Sequence, residues 1–342
     1  MTMEQAIAMI LPPDAAAMRQ AADRWDSLAK LPHSLGELET AVIRLAGIQR
    51  TPMPHLHKKL AVVMCADNGV LAEKTSPSAM TVTAAQAMNF ARGGGVINAF
   101  ARTVGVDVHV VDVGIATPYD PTGIDVCSIR KGTTNLAVEP AMTAAQCRAA
   151  VECGIVQAQK AAQQGVDLLI TGEMGIGNTT TASAVTAVLL GLSPEQIVAR
   201  GAGNAECTAR KADVIRRALA LHRPDPQSPL DVLTKVGGLD IAAMCGLYLG
   251  GAAFGLPVVI YGLISGAAAL CAARLAPSAL DYMLPSHCSA ETAGKQLLDA
   301  LHFRPLITAG LCLGEGTGGV LGAGLLDAAL AAYTETAALA DI

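Results

Sequence analysis

The sequence predicts an α/β fold: a doubly wound parallel sheet flanked by helices, with a small helical domain built from both termini. Short β-branched runs alternate with Ala-rich helical stretches from Lys59 onward, which is typical of successive βαβ units. The first sixty residues instead show helical periodicity interrupted by prolines. We therefore expect a large α/β domain over 60–320 and a small helical domain over 1–55 together with 325–342.

The individual elements follow from local patterns. Three periodic stretches ahead of the proline-containing linker at 51–54 predict helices at 3–10, 15–31 and 35–48. The clearest β-branched runs predict strands at 60–64, 106–111, 166–170 and 256–260. The Ala-rich end of the chain predicts a helix that packs onto the N-terminal helices. Ligands of doubly wound sheets gather at the carboxyl ends of the strands, so the loops after these strands are the candidate site.

Composition excludes several classes of function. The 342 residues are 52% hydrophobic and only 15% charged, with a net charge of -5 and a single Trp. Such a chain lacks the basic surface and the stacking aromatic side chains of nucleic-acid binding, so we expect no nucleic-acid partner. The nine cysteines form no CxxC pair, which favours reduced thiols in a cytoplasmic protein.

A long uncharged segment between Asp240 and Arg274 has the length of a membrane span. Its many glycines, Pro257 and the β-branched run at 258–260 instead favour a helix, a buried parallel strand and a second helix. The N-terminus has no basic region ahead of an apolar stretch, so we expect no secretory signal. The sequence therefore predicts no membrane partner and a cytoplasmic location.

A Gly-rich loop at 172–180 follows the third predicted strand and leads into a helix that begins near Thr179. Its three glycines leave backbone N–H groups free to approach an anion at the helix N-terminus, so the loop predicts either a phosphate site or a plain tight turn. It matches neither the Walker nor the dinucleotide-binding pattern. Glu173 is the only charged residue between Asp167 and Glu195. This carboxylate could accept hydrogen bonds from ribose hydroxyls, or alternatively interact favourably with the dipole of the following helix.

Glu315 is the sole charged residue between Arg304 and Asp327, and glycines flank it on both sides. Burial without a counter-charge raises the pKa of a carboxyl group, which is how a general base is tuned toward neutral pH. The alternative is an exposed carboxylate on a flexible loop. Glu315 is therefore a candidate general base.

Two further clusters carry polar side chains. Residues 199–203, with Arg210 and Lys211, combine a Gly-rich turn with positive charge, either for phosphate binding or as a solvated helix face. The Ser, His and Glu of 286–291 suggest a hydrolase, but their spacing cannot form the usual relay and no G-x-S-x-G elbow occurs. No two acidic residues are adjacent, so a phosphoribosyl monophosphate donor that needs no metal fits better than a magnesium-bound diphosphate.

Seven segments, in order, carry a resemblance to a known family. They are 66–70 (ADNGV), 93–98 (GGGVIN), 111–114 (VDVG), 172–180 (GEMGIGNTT), 238–244 (GLDIAAM), 286–287 (SH) and 313–318 (LGEGTG). Together they resemble the nicotinate-nucleotide:dimethylbenzimidazole phosphoribosyltransferases, which activate the lower ligand of cobalamin. The resemblance implies transfer of 5-phosphoribosyl from nicotinate mononucleotide to an aromatic acceptor, with release of nicotinate and inversion at C1′. It implies no cofactor, and a homodimer or a heterodimer with a paralogous subunit.

The resemblance also assigns roles to individual residues. Glu315 would take the proton of the acceptor, and Glu173 would engage the ribose. Phosphate and ribose would contact Gly175, Gly177, Asn178, Thr179, Gly201, Ala202, Gly203 and Lys211. The nicotinate side would comprise Ser286, His287, Ser289 and Gly314. The acceptor pocket would comprise Asn68, Ser78, Met80, Gln86 and Leu313.

The chain departs from the family pattern near the implied acceptor pocket. Asn68 stands where His is usual, residues 78–81 replace an aromatic-Pro-Gln-Glu stretch, and Tyr261 replaces an Asp. A less polar ring would suit this change, so the acceptor is either dimethylbenzimidazole or a phenolic such as phenol or p-cresol. Two other hypotheses stay open: a dinucleotide-dependent oxidoreductase, and a non-catalytic nucleotide-binding subunit of a paralogous pair.

Overall fold

The fold is built around one parallel sheet. The structure is a computed structural model and describes residues 1–201 and 203–342. Within these residues six strands lie in the order β3-β2-β1-β4-β5-β6, and every neighbouring pair is parallel. The order reverses between β1 and β4, which is where ligands bind in doubly wound sheets. The strands are β1 (Lys59–Ala66), β2 (Val106–Gly114), β3 (Ile124–Val126), β4 (Leu168–Met174), β5 (Val258–Ile260) and β6 (Met283–Pro285).

Helices cover both faces of the sheet, which confirms the predicted fold class. Within the described residues they are α1 (Met3–Met9), α2 (Ala15–Ser27), α3 (Glu37–Gln49), α4 (Thr81–Ala91), α5 (Val96–Val104), α6 (Ala144–Gln163), α7 (Asn178–Leu190), α8 (Pro194–Ile197), α9 (Ala205–His222), α10 (Pro229–Val236), α11 (Leu239–Ala253), α12 (Gly262–Leu275), α13 (Gly294–Ala300) and α14 (Thr317–Glu335).

The predicted third strand, 166–170, needs correction at both ends. The third strand begins at Leu168 and continues to Met174, so Glu173 lies in a strand and not in the following loop. Its register explains the extension, because Gly172 and Glu173 pair with Val63 and Met64 of β1. The sequence also gave no indication of β3 and β6, which have three residues each and are too short to show a period.

The uncharged segment between Asp240 and Arg274 folds as expected, with the helices α11 and α12 on either side of the buried strand β5. Glycines allow α11 to lie against its neighbour, because a Cβ on Gly154 or Gly246 would overlap the backbone of the facing helix. None of the helices in the described part of the chain is both long and apolar enough to cross a bilayer.

The three N-terminal helices pack on different faces of the sheet. Helices α2 and α3 pack with α14, where the rings of Trp25 and Tyr333 lie 4.9 Å apart, so the C-terminal helix meets the N-terminal helices as predicted. Helix α1 lies on the opposite face of the sheet against α6 and α11, and Met3 belongs to the core of that face. The division into domains at 60–320 and at 1–55 with 325–342 stays a prediction.

Candidate functional site

A cavity of about 230 Å³ lies at the carboxyl ends of β4 and β5. It lies beside the point where the strand order reverses, as doubly wound sheets lead one to expect. Twelve of the predicted site residues line it: Glu173, Gly175, Gly177, Asn178, Thr179, Gly201, Lys211, His287, Ser289, Leu313, Gly314 and Glu315. Those that do not line it are Asn68, Ser78, Met80, Gln86, Gly203 and Ser286. Ala202 lies outside the described residues.

The loop from β4 to α7 depends on two glycines. Gly177 has a φ of +98°, in the left-handed region that favours glycine, and its turn starts α7 at Asn178. A Cβ on Gly175 would overlap the carbonyl oxygen of Ala66 at the end of β1. The loop therefore lies against the end of the central strand. Asn68, predicted for the acceptor pocket, is buried beneath this loop instead.

Glu173 joins three chain segments at the floor of the cavity. Its Oε1 accepts hydrogen bonds from the hydroxyl of Tyr261 (2.9 Å) and from the backbone N–H of Glu315 (3.2 Å). Its Oε2 accepts one from the side-chain amide of Asn178. Burial raises the pKa of Glu173, while these hydrogen bonds lower it. A Cβ on Gly314 would overlap Glu173 Oε1, which explains the glycine at that position.

Glu315 lies next to Glu173, at the N-terminus of α14. The N–H of Ile97, in the first turn of α5, donates to Glu315 Oε2 at 3.2 Å. Burial raises the pKa of Glu315 more than this hydrogen bond lowers it, and the nearby Glu173 raises it further, as the sequence led us to expect. Its φ of +66° is unusual for a residue with a side chain, and such strain concentrates at functional sites.

Lys211, within the helix α9, also lines the cavity. Its buried ammonium donates to Thr179 Oγ1 (2.9 Å) and to the carbonyl oxygens of Ala199 and Arg200 (both 3.0 Å). Among the described residues it forms no ion pair within 4.0 Å. The carboxylate of Glu291, which also lines the cavity, favours the charged form of Lys211 without pairing with it directly. A buried ammonium whose direct partners are neutral oxygens can still accept an anion as a partner.

The carboxylate of Glu291 accepts two backbone hydrogen bonds from the neighbouring Gly-rich turn. The backbone N–H groups of Arg200 and Gly201 donate to its two carboxylate oxygens at 2.8 and 2.9 Å. Those two amides are therefore not free to bind an anion. The groups of this region that suit an anion are the Lys211 ammonium and the N-terminus of α7. Gly203 faces Cys207 in α9 instead of the cavity.

His287 lines the cavity beside the first turn of α14. Burial lowers its pKa, so the imidazole is neutral at pH 7. A Cβ on Gly318 would overlap the ring, so glycine is required there. The Ser286 hydroxyl lies 3.2 Å from His287 Nδ1 and donates to Ile260 O at 2.8 Å, whereas the carboxylate of Glu291 is bonded to the N–H groups of Arg200 and Gly201. The Ser, His and Glu of this segment therefore do not form a hydrolase relay.

Residues 78–86, which carry three of the predicted acceptor-pocket residues, do not line the cavity, although the nearby Ser76 does. Met80 lies at the start of α4, and the Gln86 side chain accepts a hydrogen bond from Asn89 at 3.1 Å within that helix. Helix α4 is nevertheless tied to the site, because Ile176 N–H donates to Thr83 Oγ1 at 3.1 Å.

Three side chains that contact the predicted site residues received no role from the sequence. They are Tyr261, Asp240 and Glu291, each in direct contact with a predicted site residue or its turn. Tyr261 directly follows the fourth predicted strand, 256–260, and this position alone marks it as a candidate. In the described ranges 1–201 and 203–342, no three His, Cys, Asp or Glu side chains are placed to share a metal ion.

Comparison with known proteins gives one consistent family. A family model described as "Phosphoribosyltransferase" matches residues 10–342. The nicotinate-nucleotide–dimethylbenzimidazole phosphoribosyltransferase of Ruminiclostridium cellulolyticum is 43% identical, over 100% of this chain and 97% of that protein. The protein of the same name from Desulforudis audaxviator is 46% identical, over 99% and 97%. A crystal structure under that name from Thermus thermophilus superposes with a TM-score of 0.90 at 42% identity, over 96% of this chain and 98% of that one.

Proposed function

This chain belongs to the family of nicotinate-nucleotide–dimethylbenzimidazole phosphoribosyltransferases, and from that premise we propose its reaction. We propose that it transfers 5-phosphoribosyl from nicotinate mononucleotide to dimethylbenzimidazole, releases nicotinate and inverts C1′ from β to α. The observation that carries the proposal is one cavity lined by a buried ammonium, Lys211, which forms no ion pair within 4.0 Å among the described residues, and by two carboxyl groups, Glu173 and Glu315.

The phosphate of the donor binds at the Lys211 side. The ammonium bonds there only to neutral oxygens, and Glu291 acts on it without direct pairing, so a phosphate supplies the direct counter-charge. The N-terminus of α7 lies beside it, since Lys211 bonds to Thr179 in the first turn of that helix. Helix N-termini favour phosphate through their free N–H groups and their dipole.

The ribose lies between the phosphate and Glu173. As the bond from C1′ to nicotinate breaks, positive charge develops on the sugar, and an ionised Glu173 stabilises it from the cavity floor. The bonding electron pair goes to the pyridinium nitrogen, which becomes neutral. Departure of nicotinate therefore needs no proton. Neutral His287 and the hydroxyl of Ser289 line the wall where nicotinate leaves.

The acceptor enters beside Leu313, which is 48% exposed at the rim of the cavity. An acceptor nitrogen attacks C1′ while Glu315 takes the proton that the ring loses, so charge balances. The raised pKa of Glu315 makes its carboxylate a better base than an exposed one. Bringing donor and acceptor together in one site lowers the barrier further.

Dimethylbenzimidazole is favoured as the acceptor because relatives 43–46% identical over nearly the whole chain bear its name. The phenolic alternative is based on Asn68 and residues 78–81, and none of these lines the cavity. A phenol therefore stays a prediction, as does the dimer, with itself or with a paralogous subunit.

The proposal is tested by incubating the purified protein with nicotinate mononucleotide and one acceptor at a time: dimethylbenzimidazole, adenine, phenol or p-cresol. Mass spectrometry reads the ribosylated product and chromatography reads nicotinate. We expect equal amounts of both with dimethylbenzimidazole, and an α-configured C1′ by NMR. Product with phenols alone would contradict the proposed acceptor. Binding of the nucleotide without nicotinate release from any acceptor would contradict the transferase activity and support a non-catalytic subunit.

A further inference from the structure

Two buried carboxyl groups share one amide below the cavity. The side-chain nitrogen of Asn178 donates to Glu173 Oε2 and to Asp240 Oδ2, the latter at 3.0 Å. Glu173 is 4% exposed and Asp240 is fully buried. A side-chain amide has two N–H bonds, so it serves each carboxyl group with one. Glu173 lines the cavity, whereas Asp240 lies behind it.

No cation compensates this pair among the residues that the structure describes, because neither carboxyl group takes part in an ion pair within 4.0 Å. The other partner of Asp240 is the N–H of Ile241, at 3.0 Å from Oδ1. The ammonium of Lys211 is occupied by Thr179 and two carbonyl groups. Two buried carboxylates without a counter-charge repel one another and are costly to keep ionised.

The surrounding titratable groups do not change this balance. Tyr261 from the start of α12 and Cys65 from β1 face the pair, and burial raises the pKa of both, so both stay neutral. Glu315 contributes its backbone N–H to Glu173, and its carboxyl group adds negative charge nearby. Burial raises the pKa of Asp240 to about 7, with the charge of Glu173 adding to the rise.

We propose that Asp240 is a positioning residue for the transfer reaction: together with Glu173 it holds one proton across the amide of Asn178, and this sharing sets the pH at which Glu173 becomes ionised. The role of Glu173 toward the ribose rests on the proposed function. The shared proton itself does not. Because Asp240 competes with Glu173 for a single negative charge, the cavity-facing carboxylate is fully available only above the pH at which both groups ionise.

The pH profile of kcat/KM for nicotinate mononucleotide tests the proposal in Asp240→Asn. The variant has no competing charge, so Glu173 ionises at lower pH and the acid limb moves down by roughly one pH unit. Asp67→Asn is the matched control, since Asp67 is equally buried at the end of β1 but does not contact Asn178. Its acid limb stays where the wild type has it. If Asp240→Asn lowered kcat/KM at every pH without shifting the acid limb, the role of Asp240 would be only structural and the proposal would be overturned.

Infrared spectroscopy supplies a readout that does not depend on turnover or on a variant that folds poorly. The wild type at pH 6 should show the carbonyl band of a protonated buried carboxyl group, and it should disappear with a midpoint near neutral pH. The band should persist in Asp67→Asn and be altered in Asp240→Asn. Absence of any such band in the wild type at pH 6 would overturn the proposal. If nicotinate were never released but the band titrated as described, the shared proton would stand and the transferase proposal alone would fail.

Discussion

Replacing Lys211 with methionine removes a buried cation from the cavity lining while keeping a side chain of similar length. Two unit charges about 4 Å apart attract by about 4 kcal/mol at an effective dielectric constant of about 20. Part of this is offset, because burial lowers the pKa of Lys211 and so already disfavours its ammonium before substrate binds. A net loss of about 3 kcal/mol corresponds to an affinity for nicotinate mononucleotide that is weaker on the order of 100-fold.

Calorimetric titration of Lys211→Met with nicotinate mononucleotide measures this loss, and nicotinate riboside, which lacks the phosphate, serves as the second ligand. The nucleotide should lose on the order of 100-fold in affinity and the riboside only a few-fold, since about 1.4 kcal/mol corresponds to a factor of ten. Arg210→Met is the matched control. Arg210 neighbours Lys211 in sequence but pairs with Glu206 on the exposed side of α9.

Equal losses of affinity for the two ligands in Lys211→Met would refute the reasoning, because they would show that Lys211 does not bind the phosphate. A 100-fold loss in Arg210→Met would also refute it, since the effect would then come from general charge and not from the buried ammonium.

Two further predictions concern packing. Gly314→Ala places a methyl group onto Glu173 Oε1, so we expect kcat to fall by roughly 100-fold with the fold intact by circular dichroism, since small displacements of site groups are costly; wild-type kcat would show that the close approach is unimportant. Trp25→Ala removes a ring that is 1% exposed and packs on Tyr333, so urea unfolding should show a loss of about 3 to 5 kcal/mol, while Trp25→Phe loses less; a loss of under about 1 kcal/mol would contradict the packing of α2 on α14.

The sequence predicted the architecture well where elements are long and periodic. Alternation of β-branched runs with Ala-rich stretches indicated the sheet, and the glycines around Pro257 indicated helix, strand and helix. It could not place α1 on the opposite face from α2, because an amphipathic period shows that a helix has a buried side but not which layer receives it. Strands of three residues, such as β3 and β6, carry no period at all.

The site was predictable where charge is scarce. Glu173 and Glu315 stood out as single charges in long uncharged stretches, and the structure brings them into contact through the N–H of Glu315. The contacts of Asp240 and Glu291 were not predicted, because they are tertiary contacts with Asn178 and with the turn at Arg200. Spacing along the chain cannot report contacts that are 62 or 91 residues apart.

The rate of nicotinate release in Glu315→Gln tests the central claim most directly. Glutamine keeps the size of the side chain and can still accept the Ile97 hydrogen bond, but it cannot take a proton. At saturating nicotinate mononucleotide and dimethylbenzimidazole, we expect release to fall by roughly 100- to 10,000-fold while the affinity for the nucleotide is unchanged. Glu335→Gln, at the far end of α14, should behave as the wild type. Wild-type release by Glu315→Gln would contradict the account, because the cavity would then carry out the transfer without its proposed base.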